Sequence, residues 1–446
     1  MDPTRAAALQ QLFAVVPDDL LRTLDAALSQ DAEHSPAAFA VASHARAERA
    51  DRTVRDAILA PVRAVSRGGG DGPDVAGAAR PPFDPTPELW RLLRRTDSAA
   101  VNAAVEAAGD RDEPQRAAAS ADALTALAAE RLAQHADWEP LRARLEAADG
   151  DGAAKLDRLL RLSPAVRGAS GRARALSRNG SGGHTPALRL AYRDAEAAAP
   201  GGGALLLAAL ATQLDHPWQA LRLVSAVMDR PTEAFLAASE LRAFGLAMLD
   251  DVDARLARLA GFDGAAGVAG GEAAAADALT CALEMVELEQ CLTLARDGPW
   301  GRRVAAAKRE LARVGEQRLK DAHGWVDRAL PVGRPRLGGR VRGAPRLDAP
   351  FDPSAAERAV GLLAFVSAAR RSAGAGGFGA ARAKAVGELD ARLDQYVEDL
   401  LEVLHAGADP EASAGLRLRL DAAAECLGLL RDAKAAAVVR RRVAAA

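Results

Sequence analysis

Three features predict an all-α fold for this chain, a multi-helix bundle or irregular helical array with long antiparallel helical hairpins. The first is composition. Apolar residues make up 49% of the 446, Ala supplies much of that share, and aromatics reach only 4%. Ala loses no side-chain entropy in a helix and Leu and Arg lose little, whereas sheets draw on Val, Ile, Thr and aromatics. Ile occurs once, at Ile58. The second feature is spacing. Leu241, Phe244, Met248, Val252, Leu256 and Leu259 recur at intervals of three and four, and so do Val304, Ala307, Leu311 and Val314. Side chains so spaced share one face of a helix. The third is a set of legible helix starts, in which Ser, Thr or Asp stands beside Pro.

Taken in order, the chain begins with a helical unit over 1–65 and a Gly/Pro-rich linker over 66–85. The stretch "SRGGGDGPDVAGAA" at 66–79 holds five Gly. Such segments lose much backbone entropy on ordering and bury little apolar area. A helical unit over 86–162 follows. Next comes "SPAVRGASGRARALSRNGSGG", read for the same reason as a flexible linker over 163–184. A central helical domain spans 185–330, broken by Gly and Ala at 261–271. An Arg/Gly/Pro-rich loop covers 331–352. The last unit, 353–446, is a helical hairpin: Val386, Leu389, Leu393, Tyr396, Leu400 and Leu404 form one stripe, and Leu416, Leu420, Ala423, Leu427 and Leu430 form another after the turn "HAGADPEA". Two stripes joined by a short loop pair antiparallel. Leu393 and Leu420 are expected in the core, with Arg392 and Arg419 on the polar faces.

Helix entry is predicted at "SPAAF" (Ser35), "TPELW" (Thr86) and "TPALR" (Thr185), where a hydroxyl caps and Pro takes the first helical position. "DHPW" at Asp215 and "DGPW" at Asp297 form a matched pair in which the Trp is expected to fold over a neighbouring helix. Two further stretches nearly repeat, "PFDPTPE" at 82–88 and "PFDPSAAE" at 350–357. Both read as helix entries after a loop, with Phe83 and Phe351 as apolar pins. Thr86 is the expected cap in the first. In the second, Ser354 and Glu357 have capping-box spacing and Asp352 is an alternative cap.

Charge and cysteine content bound the function. Net charge is −2, so the whole chain is not an electrostatic trap for nucleic acid. Of 58 basic residues five are Lys; GC-rich codons account for an Arg and Ala excess of this kind. Three cysteines, Cys281, Cys291 and Cys426, lie on apolar helical stretches without a CxxC, which predicts free thiols and a cytoplasmic location. The first residues carry an acid at Asp2 and no apolar core of signal-peptide length. The longest apolar run, 204–211, falls far short of the ~20 residues that span a bilayer, so no membrane partner is expected.

Nucleotide, metal and nucleophile motifs are absent from the sequence. Glu402 and His405 make a single ExxH, where a di-iron bundle needs two pairs and two further Glu. Asp250, Asp251 and Asp253 suggest a magnesium motif, but DDxxD is not met because position 254 is Ala254. A solvated helix face explains them better. No metal and no cofactor is expected. The ligand-pocket candidates are His216, Trp218 and Arg222, a polar-aromatic patch in apolar surroundings, with Asp250 and Asp253. The anion-binding candidates are Arg334, Arg336, Arg340, Arg342 and Arg346, which precede the first acid of their loop, Asp348. That loop carries no aromatic for stacking on bases. The leading expectation is a non-catalytic scaffold or adaptor that binds another protein. One alternative is an α-helical enzyme with a site around His216–Arg222 and Asp250–Asp253. Another is a nucleic-acid-associated protein using the Arg loop.

Overall fold

The computed structural model describes residues 9, 12–13, 16–31, 35–67, 80–109, 113–179, 184–333, 344–407 and 410–446. The fold is all-α. The chain divides into two compact units, 1–229 and 230–446, with the boundary inside the stretch that reads as one central domain in the sequence.

In the first unit the helices are α1 (Asp18–Asp31), α2 (Pro36–Ile58), α3 (Ala60–Arg67), α4 (Thr86–Thr96), α5 (Ser98–Gly109), α6 (Pro114–Gln134), α7 (Glu139–Ala148), α8 (Gly152–Asn179), α9 (Thr185–Ala198), α10 (Gly202–Ala211) and α11 (Ala220–Val227). The hydroxyl of Ser35 accepts from the Ala38 N–H at 3.3 Å, with Pro36 in the first position, as the sequence pattern requires. α1 and α2 pair around Phe13, Leu21 and Ala45.

The stretch expected to be a linker at 163–184 is the main departure from the sequence reading. Residues 163–179 are the second half of α8, and 180–183 lie outside the described residues. α8 is the hub of the unit: it packs against α3, α6, α7, α9, α10 and α11. Leu156, Leu159, Leu160, Val166, Ala169, Ala173 and Leu176 are all buried along it. Pro164 removes one donor from the helix, and Gly168 and Gly171 each cost ~1 kcal/mol relative to Ala. Burial of a full apolar face offsets those costs, because tertiary packing outweighs local propensity. Arg167 ties the segment down: its guanidinium donates to Asp122 Oδ1 at 2.7 Å, to the Ile58 carbonyl at 2.8 Å and to Thr125 Oγ1 at 2.9 Å. Of the other expected linker, 66 and 67 end α3, and 68–79 lie outside the described residues.

The second unit holds α12 (Glu233–Ala237), α13 (Arg242–Gly261), α14 (Gly267–Cys291), α15 (Pro299–Ala329), α16 (Pro353–Ala368), α17 (Arg370–Ala375), α18 (Gly379–His405), α19 (Pro410–Leu430) and α20 (Ala433–Ala445). Two short strands, β1 (Val332–Gly333) and β2 (Ala344–Pro345), pair antiparallel at the base of the Arg-rich loop. α14 crosses both α13 and α16, and α16 also packs on α15 and α19. Trp300 meets the expectation for "DGPW": it is buried against Gly245 of α13. Its backbone N–H donates to the buried Glu233 carboxylate at 2.8 Å, which also takes the Ala295 N–H at 3.0 Å.

Three expected hydroxyl caps are corrected. α4 starts at Thr86, but the capping oxygen belongs to Asp84, which accepts from the Thr86 N–H at 3.0 Å and the Thr86 hydroxyl at 2.6 Å. α9 starts after His184, and the Thr185 hydroxyl is buried without a hydrogen-bond partner. In α16 the cap is Asp352, not a Ser354–Glu357 box: Asp352 accepts from the Ser354 N–H at 3.0 Å, the Ser354 hydroxyl at 2.8 Å and the Ala355 N–H at 3.2 Å. The two PFDP stretches therefore share one local solution, an Asp-Pro-Ser/Thr cap. Phe83 adds a half-buried ring beneath the Arg144 guanidinium, 4.7 Å from its centroid.

The α18–α19 hairpin pairs as expected, with Leu389, Leu393, Tyr396, Leu400 and Leu404 facing Leu416, Leu420, Ala423 and Leu427 in the core. Arg419 does not sit on a polar face. It is 4% exposed and donates to the carbonyls of Ala349 and Gly415. The reason is that α19 packs against α16, α18 and α20 together, so its buried arc is wider than one stripe. Arg419→Ala is accordingly expected to destabilise by about 1–3 kcal/mol, because it removes a buried side chain and its hydrogen bond to the half-buried Ala349 carbonyl. A thermal melt within ~0.5 kcal/mol of the parent would return Arg419 to the exposed face.

Candidate functional site

His216, Trp218 and Arg222 come together, but on the surface. The His216 ring is exposed and stacks on the Trp218 indole, with centroids 5.3 Å apart and planes 8° from parallel. The Arg222 guanidinium lies against the same indole, 5.6 Å from its centroid, and donates to the Ser177 carbonyl. Trp218 thus meets two side chains of its own segment. The His216 N–H donates to Gln219 Oε1 at 3.2 Å, which fastens the start of this segment. Asp215, alongside, is held below the usual carboxylate range by hydrogen bonds from Arg178.

Asp250 and Asp253 belong to the second unit, so the two halves of the expected pocket are divided between the units. Both carboxylates are exposed and both are taken by Arg303 of α15, each at 2.6 Å. One guanidinium bridging an i, i+3 pair of Asp is an inter-helix clamp between α13 and α15. Arg334, Arg336, Arg340 and Arg342 lie outside the described residues. Arg346 is described: it pairs with Asp348 at 3.1 Å, and its N–H donates to the Pro331 carbonyl at 2.9 Å.

A groove that the sequence did not single out lies along α5 and α6. It has a volume of about 490 Å³ and is lined by Ala100, Ala103 and Ala104 on one helix and by Ala123, Leu124 and Leu127 on the other, with Ser120 and Glu130 along α6. Ala103, Ala123 and Ala126 are exposed and Leu127 is half-buried. Across its twelve residues, "SAAVNAAVEAAG", α5 carries only Ser98, Asn102 and Glu106 as polar side chains. A helix that apolar on nearly all sides is usually enclosed. Here the face bearing Ala99 and Ala103 is open. The alanine content of α5 was visible in the sequence; which of its faces lacks a neighbour was not.

A second feature is buried. Arg255 of α13, 7% exposed, donates to Asp251 at 2.7 Å and to Asp277 of α14 at 2.8 Å. Arg258 also takes Asp277 at 2.8 Å. Burial alone would lift the Asp277 carboxyl, but the bonds from Arg258 and Arg255 outweigh it and hold the group below its usual range. Glu284, about two turns further along α14, is fully buried beside this network. Its only trace in the sequence is the spacing Asp277, Cys281, Glu284, which puts all three on one face of α14.

Against protein-family models, curated proteins and solved structures, the chain gives no match. The class it can be assigned to is the one its fold defines, an all-α helical array. Among the described residues no helix is long and apolar enough to cross a membrane.

Proposed function

We propose that this chain is a helical scaffold that binds another protein, and that the α5–α6 groove receives an amphipathic helix of that partner. The open alanine-lined groove is the observation that supports this reading. Small side chains let a second helix approach to the 8–10 Å interaxial distance of packed helices, and half-buried Leu127 offers an apolar anchor. Glu130, exposed on α6 beside the groove, favours a partner helix with Lys or Arg opposite it. Free thiols at Cys281, Cys291 and Cys426 support action in a reducing compartment such as the cytoplasm.

A photo-crosslinking residue at Ala123, introduced in the native host, is expected to capture one protein through a segment with helical apolar spacing and a basic residue. The same residue at Lys434, exposed on α20, serves as the comparison. Ala123→Arg should weaken that association at least about tenfold, ~1.4 kcal/mol, while the folding stability stays within ~0.5 kcal/mol of the parent. Capture of the same protein from Lys434, or adducts only with a second copy of this chain, would overturn the proposal.

A further inference from the structure

Glu284 is fully buried on α14, and neither carboxylate oxygen receives a hydrogen bond from any donor. One turn before Glu284, the Cys281 thiol reaches the Val252 carbonyl of α13 at 3.6 Å, so the seam at this level brings in Asp251, the neighbouring acid that acts on Glu284. Asp251 already accepts from the Arg255 guanidinium at 2.7 Å. Two ionised carboxylates are acceptors only and cannot bond to each other. The contact is satisfied when a proton sits on Glu284 and is donated to Asp251. Charge balance agrees. Asp251 and Asp277 are matched by Arg255 and Arg258, so an ionised Glu284 would be a third, uncompensated negative charge in a buried network.

We propose that Glu284 is held protonated in the folded protein and locks α13 to α14 through a carboxyl–carboxylate hydrogen bond to Asp251, so that this seam loosens as the solution becomes alkaline. The cation that acts on Glu284 is Arg255, already shared by Asp251 and Asp277. α16 meets α14 at Gly271 through Gly361, Ala364 and Phe365, and its titratable residues Glu357 and Arg358 lie at its opposite, N-terminal end. α17 carries Arg370 and Arg371, both exposed. On α15, Arg303 is taken by Asp250 and Asp253, and Lys308 by Glu289. On α14 itself, Cys281 is buried, and burial pushes its thiol up, so it stays neutral. Burial first, and then Asp251, pushes the Glu284 carboxyl up to about 9 from its ordinary 4.5. A raised acid binds its proton more tightly folded than unfolded. Stability is therefore fully present below about 4.5 and is lost as pH climbs towards about 9.

The test is a thermal melt of the full chain across that window, parent against Glu284→Gln. Gln keeps a donor towards Asp251 and cannot ionise. The parent Tm is expected to fall by several degrees as pH rises from about 5 to about 9, and the Glu284→Gln profile is expected to be flatter, so that the variant melts higher than the parent at the alkaline end. Parallel profiles would overturn the proposal. A second measurement stands if the variant fails to fold. The infrared spectrum of the parent at neutral pH should show the C=O stretch of a protonated carboxyl, disappearing at alkaline pH. Its absence at neutral pH would equally overturn the inference.

Discussion

Gly271→Ala is expected to unfold the second unit more readily by ~3 kcal/mol, a large cost for one methyl group. A Cβ at Gly271 would collide with the Gly361 carbonyl and come within 2.7 Å of the Phe365 nitrogen. Both obstacles are backbone of α16, which is itself packed on α15 and α19 and cannot yield as a side-chain tip would. Gly361 faces the same limit from the carbonyl of Gly264, whose φ of 86° lies in the left-handed region that favours glycine. The comparison is Gly171 on α8, exposed and helical, where an added Cβ meets nothing. Gly171→Ala should stabilise by about 0.5–1 kcal/mol, because Ala loses less backbone entropy on folding. Denaturant titrations of the two variants decide the matter. Equal and opposite signs are not required, but a neutral Gly271→Ala would show that α14 and α16 do not touch at their backbones.

Leu393→Ala and Leu420→Ala are each expected to cost ~2–5 kcal/mol, from lost transfer free energy and the cavity left behind. Both leucines are fully buried, one on each arm of the α18–α19 hairpin. Few folds hold more than about 5–15 kcal/mol in total, so either variant should melt well below the parent. Leu418, two residues from Leu420 and 55% exposed, provides the contrast. Its replacement by Ala should stay within ~0.5 kcal/mol. A Leu418 variant that melts as low as Leu420→Ala would mean the helical phase of α19 is wrong.

Element type was legible wherever the apolar residues were large. Leu389 to Leu404 and Leu241 to Leu259 announce their helices and their buried faces, since Leu at three- and four-residue intervals has one place to go. Where the buried face is built from Ala, Val and Ser, as in 163–179, Gly and Pro carried more weight in the sequence than they do in the folded chain. The correction of Arg419 has a different source. One stripe implies one neighbour, and α19 has three. Asp84 and Asp352 were in plain view as part of the PFDP pair, yet only backbone geometry shows that the Asp, and not the hydroxyl two residues on, accepts the orphan N–H groups.

The candidate site divides in the same manner. His216, Trp218 and Arg222 are close in sequence, and they are close in space because a helix start keeps near neighbours together. Asp250 and Asp253 share a face for the same local reason, but that Arg303, fifty residues on, closes over both is a matter of how α15 lies on α13. Glu284 shows the limit most clearly. By itself it is one of five acids on α14, with nothing to say whether it meets water, a cation or another acid.

Local spacing and composition determined that this chain is helical, where several of its helices begin, and which leucines form their cores, because backbone propensity and the 3.6-residue period act over a few residues. The tertiary structure alone decided which helices are neighbours. From that follow the hub role of α8, the open face of α5, the backbone contact at Gly271 and the burial of Glu284 beside Asp251. Each depends on which surfaces from distant parts of the chain exclude water from one another, and that is a property of packing that no single window of sequence carries.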